Sequence, residues 1–285
     1  MNAVASVGYT LSQQQFERLR RLVYETSGIA LRPEKQQMVC ARLSKRLRAL
    51  GMSSFDEYYA LASSDRGQVE LEQLLNAITT NKTSFFREAH HFDELRKLIA
   101  DRPRTAEEGA PRIRVWSAGC STGEEAYTIA MTVLEALPAG TESGLRILAS
   151  DLDSDVLAVA ERGVYTAERM QDLPAPLLKR WFIPGTADKA GQYRAREALR
   201  EKVAFRRINF VDPIWPIHTK FDAIFCRNAL IYFDGPTQRE IVGRLLGFLV
   251  PGGYLFLGHS ESMAGTRPEL KQLGRTTYRL LEEAR

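Results

Sequence analysis

The run Arg112-Ile113-Arg114-Val115-Trp116-Ser117-Ala118-Gly119-Cys120-Ser121-Thr122-Gly123-Glu124-Glu125 reads as an apolar strand, a glycine-containing loop and the start of a helix. In a doubly wound α/β sheet such a loop lies at the carboxyl end of its strand, where ligands bind. A dinucleotide loop needs the spacing G-x-G-x-x-G, whereas only Gly119 and Gly123 occur here, and the lysine of a phosphate-binding loop is absent. Glu124 and Glu125 stand at the helix start, where a pyrophosphate requires bare N–H groups and no competing anion. A ligand with positive charge and no phosphate suits that edge, and S-adenosylmethionine, with its ammonium and sulfonium, is such a ligand. The same acids also complement the helix dipole, worth about 0.3–1 kcal/mol each, and the loop alone does not choose between the two roles.

A second apolar run, 145–149, leads through Ser150 to Asp151 and Asp153. An acid at the tip of the second strand is where a ribose hydroxyl pair is held in nucleoside-binding α/β folds, which favours Asp151. Asp153 or Ser154 then serves as N-cap of the next helix. Nothing else suggests acid–base or metal chemistry. Cys40, Cys120 and Cys226 form no C-x-x-C pair and fit a reducing compartment. Cys120 reads as a small packing residue without a base to make it a nucleophile. His90 and His91 are adjacent, so on a helix they point about 100° apart, and no Cys or Asp stands at ligand spacing; no metal is expected.

These residues need elements to hold them. Apolar runs at 113–116, 145–149, 221–226 and 254–257 alternate with helical periods at 124–137, 155–162 and 237–249, the pattern of a mainly parallel sheet wrapped by helices. Upstream, from Ser12 to about Ala100, the periodicity is helical, with Pro33 suited to a first turn and Gly51 to a C-terminal cap. Val39, Leu43, Leu47 and Leu50 form one apolar stripe, and Lys35, Arg42, Lys45 and Arg46 fall beside it, which leaves the charges of Arg42, Lys45 and Arg46 free. Between Arg18 and Arg48 stand nine Lys/Arg (Arg18, Arg20, Arg21, Arg32, Lys35, Arg42, Lys45, Arg46, Arg48) against Glu25 and Glu34, although the net charge of all 285 residues is only +4. That local excess calls for an acidic partner or a solvated face. A polar, proline-containing segment, 101–111, precedes the α/β part. The stretch 181–210, with its alternating Gln192-Tyr193-Arg194-Ala195-Arg196, is expected to be a small strand-rich insertion. No apolar stretch reaches about 18 residues and no signal peptide is visible, so a cytoplasmic protein without membrane insertion is expected.

The segment Thr79-Thr80-Asn81-Lys82-Thr83-Ser84-Phe85-Phe86-Arg87-Glu88 resembles the corresponding segment of CheR methyltransferases. Blocks 116–131, 149–165, 221–233 and 252–262 resemble the same family and occur in its order. The resemblance implies an all-α N-terminal domain (1–85) followed by a Rossmann-like class I S-adenosylmethionine methyltransferase domain (86–285) with a small antiparallel β-subdomain at about 181–210. It implies that Asn81, Thr83, Arg87, Glu125, Asp151, Asn209, Phe210, Arg227 and Asn228 surround the cofactor, with Arg87 and Tyr232 nearest the transferred methyl. The acceptors it implies are glutamate side chains in the cytoplasmic signalling domains of chemoreceptors. Arg42, Lys45 and Arg46 would face the acidic receptor surface, and in some members a receptor's C-terminal pentapeptide docks on the β-subdomain. The enzyme is expected to act as a monomer, with S-adenosylhomocysteine as product.

Two readings from other classes compete. Asp212-Pro213-Ile214-Trp215 distantly resembles the D-P-P-Y motif with which nucleic-acid amino-methyltransferases grip an exocyclic amine. That motif should follow an apolar strand, yet it follows Arg206-Arg207-Ile208-Asn209. A non-catalytic S-adenosylmethionine-binding regulator whose basic helix contacts nucleic acid rests only on a handful of cations. No nucleic-acid partner is therefore expected.

Overall fold

The computed structural model describes residues 8–100, 112–138, 140–263 and 267–281; the polar segment 101–111 lies outside them. The chain begins with α1 (Gln13–Ser27), α2 (Gln36–Leu50), α3 (Phe55–Ala62) and α4 (Gln68–Ile78). Helix α1 starts in a capping box, in which Ser12 and Gln15 satisfy each other's backbone N–H groups, and ends at Gly28 in the left-handed conformation. A short 3-10 turn, Pro33–Lys35, leads into α2, which stops at left-handed Gly51. Val39, Leu43 and Leu47 are buried against Phe16, Leu19, Val23, Tyr58 and Leu74. Leu50, the last member of the expected stripe, is 38% exposed, because it sits in the final turn beyond the reach of the other helices.

After the non-helical segment 79–89 come α5 (His90–Ala100), β1 (Ile113–Ala118), α6 (Glu124–Ala136), β2 (Leu145–Asp151) and α7 (Ser154–Arg162). There follow β3 (Val164–Thr166), α8 (Ala175–Trp181), β4 (Phe182–Pro184), β5 (Gln192–Ala195), α9 (Glu197–Arg200) and β6 (Val203–Arg207). The chain closes with β7 (Phe221–Cys226), α10 (Gly235–Gly247), β8 (Leu249–Leu257), β9 (Leu270–Gly274) and β10 (Thr277–Leu280). Among the described residues seven strands form one sheet in the order β6-β2-β1-β7-β8-β10-β9. All neighbours through β8 are parallel, and the last two pairings are antiparallel. Every residue of central β7 is buried, as expected of a strand covered on both faces. The order reverses between β1 and β7, so the crevice at their carboxyl ends is a topological switch point. This is a Rossmann-like α/β architecture behind an all-α domain.

The small antiparallel sheet is displaced from the stretch expected to hold it. Its order is β3-β5-β4, so it begins at Val164 and ends at Ala195. The remainder of 181–210 rejoins the main sheet, where β6 pairs parallel with β2 from Ile147↔Val203 to Asp151↔Arg207. Phe182 and Tyr165 close the subdomain onto Phe85, with ring centroids 5.6 and 5.2 Å from it, so the segment before α5 is clamped between the small sheet and the main core.

Candidate functional site

The loop after β1 is built around its glycines. Gly119 has φ +88°, and a Cβ there would lie 2.9 Å from the Cβ of Ala229, so only glycine lets the β1 and β7 loops approach. The N–H groups of Gly119 and Cys120 donate to the carbonyl of Ser150 at 2.8 and 2.9 Å, which ties the loop to the end of β2. There the carboxylate of Asp151 accepts from the N–H of Ser121 (2.8 Å) and of Asp153 (3.0 Å). Burial nevertheless lifts its pKa to about 6, against the lowering effect of those bonds. Cys120 is fully buried and its thiol is pushed up by the same cause, in keeping with a packing role.

A buried polar network crosses from α6 to β7. Glu125 accepts from the Ser117 hydroxyl at 2.6 Å and from Nε of Arg227 at 2.7 Å. Arg227 also donates through Nη1 to the carbonyl of Arg87, and lies 3.2 Å from Nδ1 of His91. Burial, and then the Arg227 charge, push the His91 pKa down to about 3, so its ring is neutral. A neutral ring accepting at Nδ1 must carry its proton on Nε2, which faces the Thr276 hydroxyl at 3.2 Å.

The segment between α4 and α5 is stapled over this end of the sheet. Asp153, the N-cap of α7, takes the Thr79 hydroxyl at 2.8 Å and the Asn81 amide at 2.7 Å on one oxygen, while the other caps the helix. The Ser121 hydroxyl donates to the carbonyl of Asn81, Arg87 to that of Lys82, and the Tyr232 hydroxyl to that of Thr80. From the helical domain, the N–H of Ala30 donates to the carbonyl of Tyr232, and Ile29 bridges to Phe233. Asn209 gives its amide hydrogens to the Thr26 carbonyl and to Asp212, which makes it a fastener between the domains as well as a wall residue.

These contacts enclose a cavity of about 430 Å³ between the two domains. Asn81, Thr83, Arg87, Glu125, Asp151, Asn209, Phe210, Arg227, Asn228 and Tyr232 all line it. Leu152, Ile208 and Phe210 give it an apolar wall beside Asp151, the combination a nucleoside requires. The residues present therefore fit S-adenosylmethionine, with a glycine-lined loop, a carboxylate at the end of β2 and an apolar slot in one crevice. Its rim differs in charge from its floor, since Arg32, Lys35 and Lys82 line it and are exposed.

The sequence matches the model of the CheR methyltransferase, SAM binding domain, over residues 81–279, and that of the CheR methyltransferase, all-alpha domain, over residues 14–79. It is 43% identical over 267 residues to Chemotaxis protein methyltransferase 2 of Pseudomonas aeruginosa, covering 94% of this chain and 93% of that protein. It is 41% identical to Chemotaxis protein methyltransferase of Escherichia coli, covering 96% and 93%. The chain belongs to the CheR methyltransferase family. It is thus a chemotaxis protein methyltransferase with a SAM-binding domain. Within this CheR-family chain, Arg42, Lys45 and Arg46 do not line the cavity. Two of the three are not free charges either. Arg42 donates to the carbonyls of Ala77, Ile78 and Thr79 and so caps α4, while Arg46 pairs with buried Glu70 at 2.7 Å. Only Lys45 is exposed. Of the cationic stretch, Arg32 and Lys35 do line the cavity, from the turn that precedes the helix; the sequence places Lys35 beside the stripe with the other three, but no periodicity points to Arg32. Asp153 is the N-cap that the sequence suggests, but its hold on Thr79 and Asn81 was not legible there, and Glu261 gave no signal because its partners are backbone groups.

Proposed function

We propose that the chain transfers the methyl group of S-adenosylmethionine to glutamate side chains of chemoreceptor signalling domains, forming methyl esters. The observation that carries this reading is the charge arrangement of one cavity, a carboxylate-bearing floor beneath a basic rim of Arg32, Lys35, Lys82 and Arg87. The floor suits a cationic methyl donor and the rim an anionic acceptor. The bound donor supplies an electrophilic methyl on positively charged sulfur. A glutamate with a pKa near 4.3 is already ionised at neutral pH, so the protein has no proton to remove. Its contribution is approach geometry and desolvation. In this reading Asp151 holds the ribose, Asn81, Thr83, Glu125, Asn209, Phe210, Arg227 and Asn228 complete the donor's surroundings, and Arg87 orients the incoming carboxylate. Tyr232, whose proton is given to Thr80 here, lines the transfer path with its ring and its remaining oxygen lone pair. No metal takes part.

The amino-methyltransferase alternative loses its motif, because Asp212, Pro213, Ile214 and Trp215 are not among the cavity's lining residues and Trp215 is buried under Arg244. The deciding assay supplies labelled S-adenosylmethionine with receptor signalling domains or with DNA. Label on the receptor that mild base releases as methanol supports the reading. Base-stable label, or label on DNA, overturns it. Adding or removing a receptor's C-terminal pentapeptide tests docking on the β3–β5–β4 sheet, and sedimentation tests the monomer.

A further inference from the structure

The turn from Gly258 to Glu261, just past β8, holds a carboxylate that the reaction described above does not use. Glu261 is 5% exposed, and no cation among the described residues pairs with it. Its partners are backbone N–H groups. One oxygen accepts from Asn228 and Gly258, each at 2.7 Å, and the other from Ile231 at 3.2 Å. Both Asn228 and Ile231 belong to the loop after β7, which contributes Asn228, Ala229, Ile231, Tyr232 and Phe233 to the cavity wall. From the opposite side Gln238 of α10 donates to the carbonyls of Leu230 and Phe233. The loop is thus suspended between a carboxylate holding its N–H groups and an amide holding its carbonyls.

Two features show that the suspension sets conformation. Asn228 has φ +57°, in the left-handed region that residues with a side chain adopt uncommonly, asparagine more readily than most. The Glu261 carboxylate bonds the N–H of that very residue. Gly258 closes the arrangement, since a Cβ there would lie 2.5 Å from the Asn228 amide nitrogen and 2.7 Å from the carboxylate. A buried, unpaired carboxylate is costly, and a neutral side chain of the same shape would supply fewer acceptors to the three donors.

We propose that Glu261 is a positioning residue for methyl transfer, fixing the loop that presents Asn228 to the donor and Tyr232 to the acceptor. The proposal rests on the assignment of those two residues to the site. The test uses the full chain carrying Glu261→Gln or Glu261→Asp, with S-adenosylhomocysteine affinity by calorimetry and single-turnover methylation at saturating donor, well below each variant's Tm. Glu261→Gln should weaken binding about fivefold and slow transfer about tenfold, and Glu261→Asp, which keeps both acceptors, should recover most of each. Asn228→Ala and Tyr232→Phe should cost less in the Glu261→Gln background than in the wild type. A lowered Tm with unchanged affinity and rate would make Glu261 a structural stitch only and overturn the proposal, as would fully additive double variants. If Glu261→Gln does not fold, the transfer rate of Glu261→Asp decides, with a residual loss of about twofold expected and a wild-type rate overturning the proposal. Silence of Asn228→Ala and Tyr232→Phe by themselves would remove the site assignment, a different failure from silence of Glu261→Gln.

Discussion

Asp151 and His91 are displaced in the same environment with opposite consequences. For Asp151, with a pKa lifted to about 6, ribose hydroxyls donate best to the ionised form, so donor binding below that pH must expel a proton. The affinity for S-adenosylhomocysteine should fall as pH drops through about 6, approaching tenfold per unit, and calorimetry in buffers of different ionisation enthalpy should register the released proton. Asp151→Asn should bind more weakly at neutral pH and show a flat profile; a wild-type profile flat from pH 5 to 8 would remove Asp151 from the ribose. With donor preloaded, single-turnover rates should be nearly flat from pH 6.5 to 8, since no base is required. For stability the signs differ. The raised Asp151 pKa means the folded state takes up its proton first, so the cost of burying that charge is relieved as pH falls through about 6. The His91 pKa is depressed to about 3, so its contribution is complete above about 6.5 and is lost on acidification as the unfolded chain protonates first. His91→Asn, which retains an acceptor facing Arg227, should be less stable at neutral pH yet lose stability less steeply between pH 6.5 and 4, as followed by urea unfolding. Asp151 was readable because a strand tip followed by an acid is a local pattern. The neutral His91 was not, since its burial comes from Arg227 and Thr276, far away in sequence.

At the scale of elements, the cavity exists because the end of α1 is pressed against the loop after β6. Gly28 is left-handed at φ +70°, and a Cβ there would stand 2.5 Å from Val211 and 3.3 Å from the ring of Phe233. Gly28→Ala should therefore both strain the cap and push apart two walls of the cavity. The expected result is a Tm lowered by several degrees, for a cost of about 1–3 kcal/mol, with weaker binding of S-adenosylhomocysteine. Gly51→Ala makes the informative control, because its left-handed cap has open space where a Cβ would go, so stability should fall and affinity should not. The helices and long strands of both domains were legible, being long enough for a period to repeat. The small sheet was misplaced for the complementary reason. Strand β3 has three residues and shows no period, while the five residues of β6 carry no sign of their own that they pair with β2, about fifty-six residues away (203 against 147).

For the whole molecule, a net charge of +4 conceals how the cations are spent. Arg42 and Arg46 serve the helical domain internally, and Arg32 and Lys35 stand at the cavity mouth. Reversing charges one group at a time separates these roles. Arg46→Glu would place a second carboxylate against buried Glu70 and should cost about 2–3 kcal/mol of stability, so any loss of methylation there reports unfolding. Lys45→Glu should leave stability unchanged within about 0.5 kcal/mol. Arg32→Glu with Lys35→Glu should keep the fold but repel an anionic acceptor, lowering kcat/KM for the receptor domain about tenfold at low salt, mostly through KM. The deficit should shrink as salt rises toward 0.3 M, where the Debye length falls below about 8 Å and exposed charges are screened. S-adenosylhomocysteine affinity should change little, because the amino-acid end of that ligand is zwitterionic and its ammonium and carboxylate respond oppositely to the lost cations. Should the double reversal leave kcat/KM unchanged at low salt while Lys45→Glu lowers it, the acceptor approaches across the outer face of α2 and the rim is a solvated edge.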